Sequence, residues 1–337
     1  MTAAIGGDGA SSPFLKGVGM AASVMGEVGP EERAAWEAYP GVAMLGPVFG
    51  CAVQVEPLVW RLLSGMRDDM PQSARDTLRA CLYLRGTDEQ DANASKEYAG
   101  AALKLDWERH DELTVAGQRF RIVRGDQFVG IGAQGPEPPR PTDPDPVDEE
   151  WHHPSTDEGR LIHAVVPTGR LAILLGQGCV PLIPAAGAVP DDVYRDARRV
   201  AGTHGGFMLL PARFVVAEQV GRSWESRSRD CRIPQQARHL LAQQLRRYDG
   251  EGEPKPDPEA CVAYERAAQA LERDRGNEVV VRDRRFRIAR VETVLYFTAD
   301  GPEMPRPSDY DPYPPPELHT QQLREAGQLV DTPEDET

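Results

Sequence analysis

The sequence predicts an α+β fold built twice, and three observations carry that prediction. First, a stretch of 36 residues occurs twice without gaps: residues 111–146 align with 277–312, and 17 of the 36 positions are identical. The shared core reads RFRIVR against RFRIAR, then GPEPPRPTDPDP against GPEMPRPSDYDP. Repetition on this scale means two copies of one domain. Second, apolar residues recur at helical spacing at matching places in the two copies. Third, runs rich in β-branched and aromatic residues are separated by short connections, which makes antiparallel pairing the economical choice.

The elements follow in chain order. Residues 1–29 read as a flexible N-terminal segment, and the first copy spans 30–146. Pro30 before Glu31 and Glu32 resembles Pro190 before Asp191 and Asp192. Acidic residues after a proline fit a helix N-terminus, where they face the positive end of the dipole. Strands are expected around Met44, Leu45, Pro47 and Trp60, matched by Met208, Leu209, Pro211 and Trp224. PQSAR from Pro71 and PQQAR from Pro234 each open a helix, with Leu78 and Leu82, or Leu241 and Leu245, on the buried face. A second helix follows in each copy. Tyr98, Ala101, Ala102 and Leu105 form its apolar stripe in the first, and Tyr264, Ala267, Ala268 and Leu271 in the second. A last hairpin is expected from 115–123 with 127–131, and from 279–288 with 293–297.

Each copy thus reads helix, strand, strand, helix, helix, strand, strand. The expected unit is a small antiparallel sheet with helices on one face, and the two units are related by a pseudo-two-fold. The proline-rich GPE-x-PRP segments suit neither helix nor central strand. They read as polyproline-type arms that clasp the neighbouring repeat. A bridge at 147–189 carries one candidate strand at 170–175, the second copy spans 190–312, and 313–337 reads as an acidic tail.

Composition narrows the function classes. The 337 residues carry 53 acidic and 38 basic side chains, a net charge of −15. That balance opposes general nucleic-acid binding, which needs a basic surface. The basic residues are 34 Arg against 4 Lys. Five cysteines at 51, 81, 179, 231 and 261 form no CxxC, so neither a disulfide framework nor a zinc site is expected. No apolar run approaches 18 residues and the N-terminus lacks the pattern of a signal peptide, so the expected compartment is the cytoplasm, with no membrane contact.

The doubled RFRIVR and GPE-x-PRP-[ST]-D motifs, DELTV before the first copy and DPYPP near the end resemble an uncharacterised actinobacterial family with a domain of unknown function. The resemblance covers about residues 30–330. It implies a two-copy cytoplasmic protein and supplies no activity, cofactor or catalytic residue.

Candidate sites each have two readings. Arg119 and Arg121 share one face of a strand, as do Arg285 and Arg287, because side chains alternate. Paired guanidiniums grip a carboxylate or phosphate bidentately. The alternative is a solvated sheet face with ion pairs to Glu112 and Glu278. Arg140 and Arg306 recur inside PRP: each either anchors a partner's acidic group or stacks and caps within its own repeat. Trp60 and Trp224 are either partner anchors or core. Trp151, His152 and His153 lack a metal-ligand spacing. Gly176, Gln177, Gly178 and Cys179, and separately Gly17 and Gly19, complete no phosphate-loop motif.

The reading that follows is a non-catalytic binding or interaction protein for an anionic ligand or protein partner, monomeric or homodimeric, with no cofactor and no metal. The alternative is a hydrolase- or transferase-type enzyme with a site at the inter-repeat junction, drawing on His163, Cys179 and His204, which the first copy does not match.

Overall fold

The computed structural model describes residues 4–5, 34–35, 37–146, 159–163, 183–184, 186–247 and 258–329. In chain order these form β1 (Ala4–Ile5), β2 (Gly41–Glu56), β3 (Val59–Leu62), α1 (Pro71–Asp88), α2 (Ala92–Trp107), β4 (Glu112–Val115), β5 (Gln118–Gly132), β6 (Gly135–Pro136) and β7 (Leu161–His163). The second half gives α3 (Asp191–Thr203), β8 (Gly206–Leu209), β9 (Arg213–Val220), β10 (Ser223–Ser226), α4 (Pro234–Arg247), α5 (Pro258–Asp274), β11 (Glu278–Val281), β12 (Arg284–Thr298), β13 (Gly301–Pro302) and α6 (Pro316–Glu325). Helix pairs alternate with antiparallel strands, so the class is α+β.

The chain divides into two compact units. One comprises Pro47–Gly125, Ser155–Val166 and Tyr296–Thr337; the other comprises Met1–Gly46, Asp126–Pro154 and Pro167–Leu295. We call them the Trp60 unit and the Trp224 unit after the tryptophan buried in each. Helices and inner strands of one sequence copy share a unit with the proline arm of the other.

In the Trp60 unit the strand order is β7-β3-β2-β5, with β4 paired to β5. Its core draws Phe49, Cys51 and Val53 from β2, Phe120 and Ile122 from β5, Ala74, Leu78 and Leu82 from α1, and Tyr98, Ala102 and Leu105 from α2. Alternation along the strands and 3.6-residue spacing along the helices turn these side chains to one side. Burying a leucine fully stabilises the fold by about 1.5–3 kcal/mol, and Leu78 and Leu82 are both at 0% exposure. Both first helices start as the sequence predicts, with Pro71 and Pro234 at their first positions.

In the Trp224 unit the order is β1-β10-β9-β12, with β11 also on β12. Here both faces of the sheet are covered. Phe214 and Val216 of β9 join Leu241, Leu245, Tyr264 and Leu271 of the helices in one cluster. Val215 and Ala217 face the other way, into a cluster with Ala43, Val129, Trp224, Ala289 and Val291.

The hairpins differ from the sequence expectation. The tight turn of the first lies at Ala116 and Gly117, because Val115 pairs with Gln118. Both turn residues take positive φ, 48° and 74°, which suits the twist of a two-residue hairpin. The second turns at Arg282 and Asp283, between Val281 and Arg284. β5 and β12 then run unbroken through the residues where the sequence places the hairpin turns. The segment read as a tail begins with helix α6, opened by Pro316 with Glu317 in its first turn. The bridge strand at 170–175, the His152 and His153 pair, the glycine-rich stretches and Cys179 lie outside the described residues.

Candidate functional site

Register builds the candidate site. Glu112 stands directly across from Arg121, and Glu278 across from Arg287. Each glutamate also reaches the arginine two residues earlier, so one carboxylate bridges two guanidiniums. In the Trp60 unit Arg119 Nη2 donates to Glu112 Oε1 at 2.9 Å and Arg121 Nε donates to Oε2 at 2.6 Å. In the Trp224 unit Arg285 Nε donates to Glu278 Oε1 at 2.7 Å and Arg287 Nε to Oε2 at 3.0 Å. The guanidinium carbons lie 5.4 and 4.8 Å from the ring centroid of Trp60, and 5.5 and 5.3 Å from that of Trp224. That is within cation–π range. Phe120, Ile122, Phe286 and Ile288 point the other way into the core, as alternation requires.

The arms complete both layers. Arg121 Nη1 donates to the Pro302 carbonyl at 3.1 Å, and Arg287 Nη1 to that of Pro136 at 3.0 Å. Gly301 and Gly135 sit against the indoles with φ of 136° and 113°. A Cβ there would lie 2.6 Å from Trp60 Nε1 or 2.5 Å from Trp224 Nε1. Only glycine combines that conformation with that approach.

Farther along each arm, every charged motif residue has a partner in the same unit. Arg306 donates to Glu303 at 2.6 Å and Arg140 pairs with Glu137. Both arginines are largely buried, with side chains 6% and 9% exposed. Asp309 accepts from Arg124 Nε at 3.0 Å, and Asp143 from Arg290 Nε at 3.1 Å. Asp311 accepts from Arg75 Nη1 at 2.7 Å and from the Gln72 backbone N–H at 3.0 Å. Asp145 does the same for Arg238 and Gln235, at 2.7 and 3.1 Å. The second aspartate of each arm therefore caps a helix N-terminus.

Electrostatics follows these contacts. The hydrogen bond from Arg121 and its charge, reinforced by Arg119, hold the Asp300 carboxyl below the ordinary aspartate range. Burial works against ionisation of Glu278, yet Arg285 and Arg287 outweigh it and keep that carboxyl below its usual value. Elsewhere, burial pushes the Asp68 carboxyl up to about 6. A hydrogen bond with Cys81 and burial push the Cys51 thiol well up, and burial pushes Cys231 up to about 11. Thiols held protonated this way are poor nucleophiles at neutral pH.

Two of the three residues of the alternative set are described, and each has its own setting. His163 ends β7, exposed, in the Trp60 unit. His204 follows α3 in the Trp224 unit, with Nδ1 2.9 Å from Thr203 Oγ1. Cys179 is not described. No group of three His, Cys, Asp or Glu side chains is arranged to hold a metal among the described residues. No described helix is long and apolar enough to cross a membrane.

Sequence reasoning found the arginines and missed most of their acids. The signal was present: Glu137, Asp143, Asp145 and Arg124 recur as Glu303, Asp309, Asp311 and Arg290. An arginine and an acid repeated together point to each other.

The model of a family of unknown function, DUF5954, matches residues 24–312. The chain belongs to this family. The match takes in both arginine–tryptophan layers and both arms through Pro312. Comparison with curated proteins and with solved structures finds no match.

Proposed function

We propose that this DUF5954 protein is a non-catalytic binding or interaction protein. In this reading a duplicated α+β domain offers an arginine–tryptophan layer to an anionic ligand or an acidic protein partner. The observation that carries it is the position of Arg119 and Arg285. Their side chains are 31% and 30% exposed. Arg121 and Arg287 behind them are nearly buried, at 4% and 7%. Each pair therefore has an accessible guanidinium edge held by a buried one, over an indole that limits its motion. Preorganised, partly desolvated guanidiniums bind anions more strongly than mobile ones. The net charge of −15 favours a small or acidic ligand group over a nucleic-acid backbone.

Native mass spectrometry of protein purified gently from its host, without chelators, tests this. The expected result is a reproducible small-molecule adduct or a stoichiometric partner on a monomer or homodimer. An Arg119→Ala/Arg285→Ala double variant then loses it. An adduct or partner that the folded variant retains overturns the assignment to these layers.

A further inference from the structure

The two layers do not balance their charge alike. In the Trp60 unit Arg119 and Arg121 share two carboxylates, Glu112 and Asp300. Asp300 Oδ2 accepts from Arg121 Nη2 at 2.5 Å, and Oδ1 from Arg119 Nη2 at 3.2 Å. In the Trp224 unit, among the described residues, Arg285 and Arg287 share Glu278 alone. The position that answers Asp300 is Gln134. Both are the second residue of a two-residue turn: Gly132 pairs with Gly135 around Ala133 and Gln134, and Thr298 pairs with Gly301 around Ala299 and Asp300. The next two residues in each case are Gly–Pro, and the proline carbonyl binds the equivalent arginine. Backbone, turn and guanidinium anchor thus coincide, and only the carboxylate differs.

We propose that the Trp224 unit carries a binding site for a carboxylate supplied by a ligand, formed by Arg285 and Arg287 beside Gln134. The ligand carboxylate occupies the place that the Asp300 carboxylate holds in the other unit. This deepens the binding reading above and rests on it. Two guanidiniums against one carboxylate leave the layer with one net positive charge, 7% and 30% exposed at its two cations. Unit charges a few ångströms apart in such surroundings interact more strongly than in water. Gln134 is exposed and neutral, so it does not neutralise the pair, and its amide N–H adds a donor to the ligand. Gln219, opposite Trp224 on the neighbouring strand, steadies Arg285 through Nη1 at 3.4 Å. The chain itself thus contains the template for the complex: a carboxylate on two stacked arginines, with a proline carbonyl behind.

The test is a sodium acetate titration of the full chain at constant ionic strength, read on the arginine Nε–H resonances by NMR. A blocked aspartate peptide is titrated in parallel. The resonances of Arg285 and Arg287 are expected to shift saturably, and those of Arg119 and Arg121 to stay. Gln134→Asp supplies the carboxylate internally and is expected to weaken acetate binding by about tenfold or more. Asp300→Gln is expected to make Arg119 and Arg121 respond in turn. Peptide binding at least about tenfold tighter than acetate identifies an acidic side chain as the source, and equal affinity identifies a small free carboxylate. No response at Arg285 and Arg287, with a response at Arg119 and Arg121 in Asp300→Gln, overturns this site and leaves the binding capacity of the layer standing. No response at either pair in either protein overturns both.

Discussion

The Trp60 and Trp224 units share a scaffold and differ in charge. Each holds a buried indole under two arginines, a glutamate across the hairpin and a proline arm on the guanidiniums. Two acids beyond that frame vary. Asp300 in one unit stands where Gln134 stands in the other, and Asp111, which pairs with Arg75, stands where Asn277 meets Arg238. Each exchange turns a carboxylate into an amide on the Trp224 side. Residues that set backbone path and packing, and most of the ion pairs, are held in both units, while these two carboxylates are not. A buried guanidinium needs a partner for the fold to survive. A partly exposed one tolerates losing its partner and becomes available to something else.

The most disruptive test of the shared scaffold is removal of the arm. Deleting residues 136–141 takes away the carbonyl on Arg287, the Glu137 backbone contact with Arg290 and the pair of Glu137 with Arg140. Cooperative unfolding in denaturant is expected to be lost. A variant that still unfolds cooperatively at the wild-type midpoint would show that the arm is decoration. A finer cut is Asp309→Ala. Asp309 and Arg124 have side chains 4% and 5% exposed, and breaking a buried ion pair costs about 3–5 kcal/mol. Equilibrium unfolding in urea measures it.

Gly135→Ala and Gly301→Ala compare the two units directly. Both force a Cβ against an indole at positive φ, and strain plus overpacking is expected to cost about 2–4 kcal/mol in each. Similar losses support one scaffold used twice. A loss confined to one variant would show that only one layer is tightly packed. Asn277→Asp probes the divergent part and is expected to stabilise by about 1 kcal/mol, since it restores a second carboxylate to a largely buried arginine. An unchanged midpoint would mean that Asp145 already satisfies Arg238.

Much of this frame was legible in the sequence, and the limits have physical causes. The helix starts at Pro71 and Pro234 and the stripes from Tyr98 and Tyr264 depend on local rules, and they appear where expected. The hairpin turns were misplaced because Ala116 and Arg282 lack the Asn–Gly or Asp–Gly signature, and both take positive φ with ordinary side chains. Glu112 and Glu278 were legible as partners of the strand arginines, while the acids of the arms are chosen by long-range contact. Asp309 lies 185 residues from Arg124. The resemblance to a family of unknown function agrees with the match over residues 24–312.

A last comparison separates the units by pH. Asp68 and Cys231 hold the same structural place: each carbonyl accepts from the phenylalanine N–H of the adjacent strand, Phe49 at 2.8 Å and Phe214 at 2.9 Å. Burial raises Asp68 to about 6 and Cys231 to about 11. A carboxyl whose folded value exceeds its unfolded value of about 3.9 binds its proton more tightly when folded. The stability it contributes is fully present below about pH 4 and is lost as pH rises through about 6. Asp68→Asn keeps an acceptor for Thr77 and removes the titration. The variant is expected to exceed wild type by at most about 2 kcal/mol at pH 7.5, after discounting for partial exposure, and to lose most of that advantage at pH 4.5. Cys231→Ser is expected to show the same difference from wild type at both values, because its thiol stays neutral throughout. Urea unfolding at the two pH values decides it. An Asp68→Asn advantage that does not change with pH would place the carboxylate in better solvation than its burial implies, and the two units would then titrate alike.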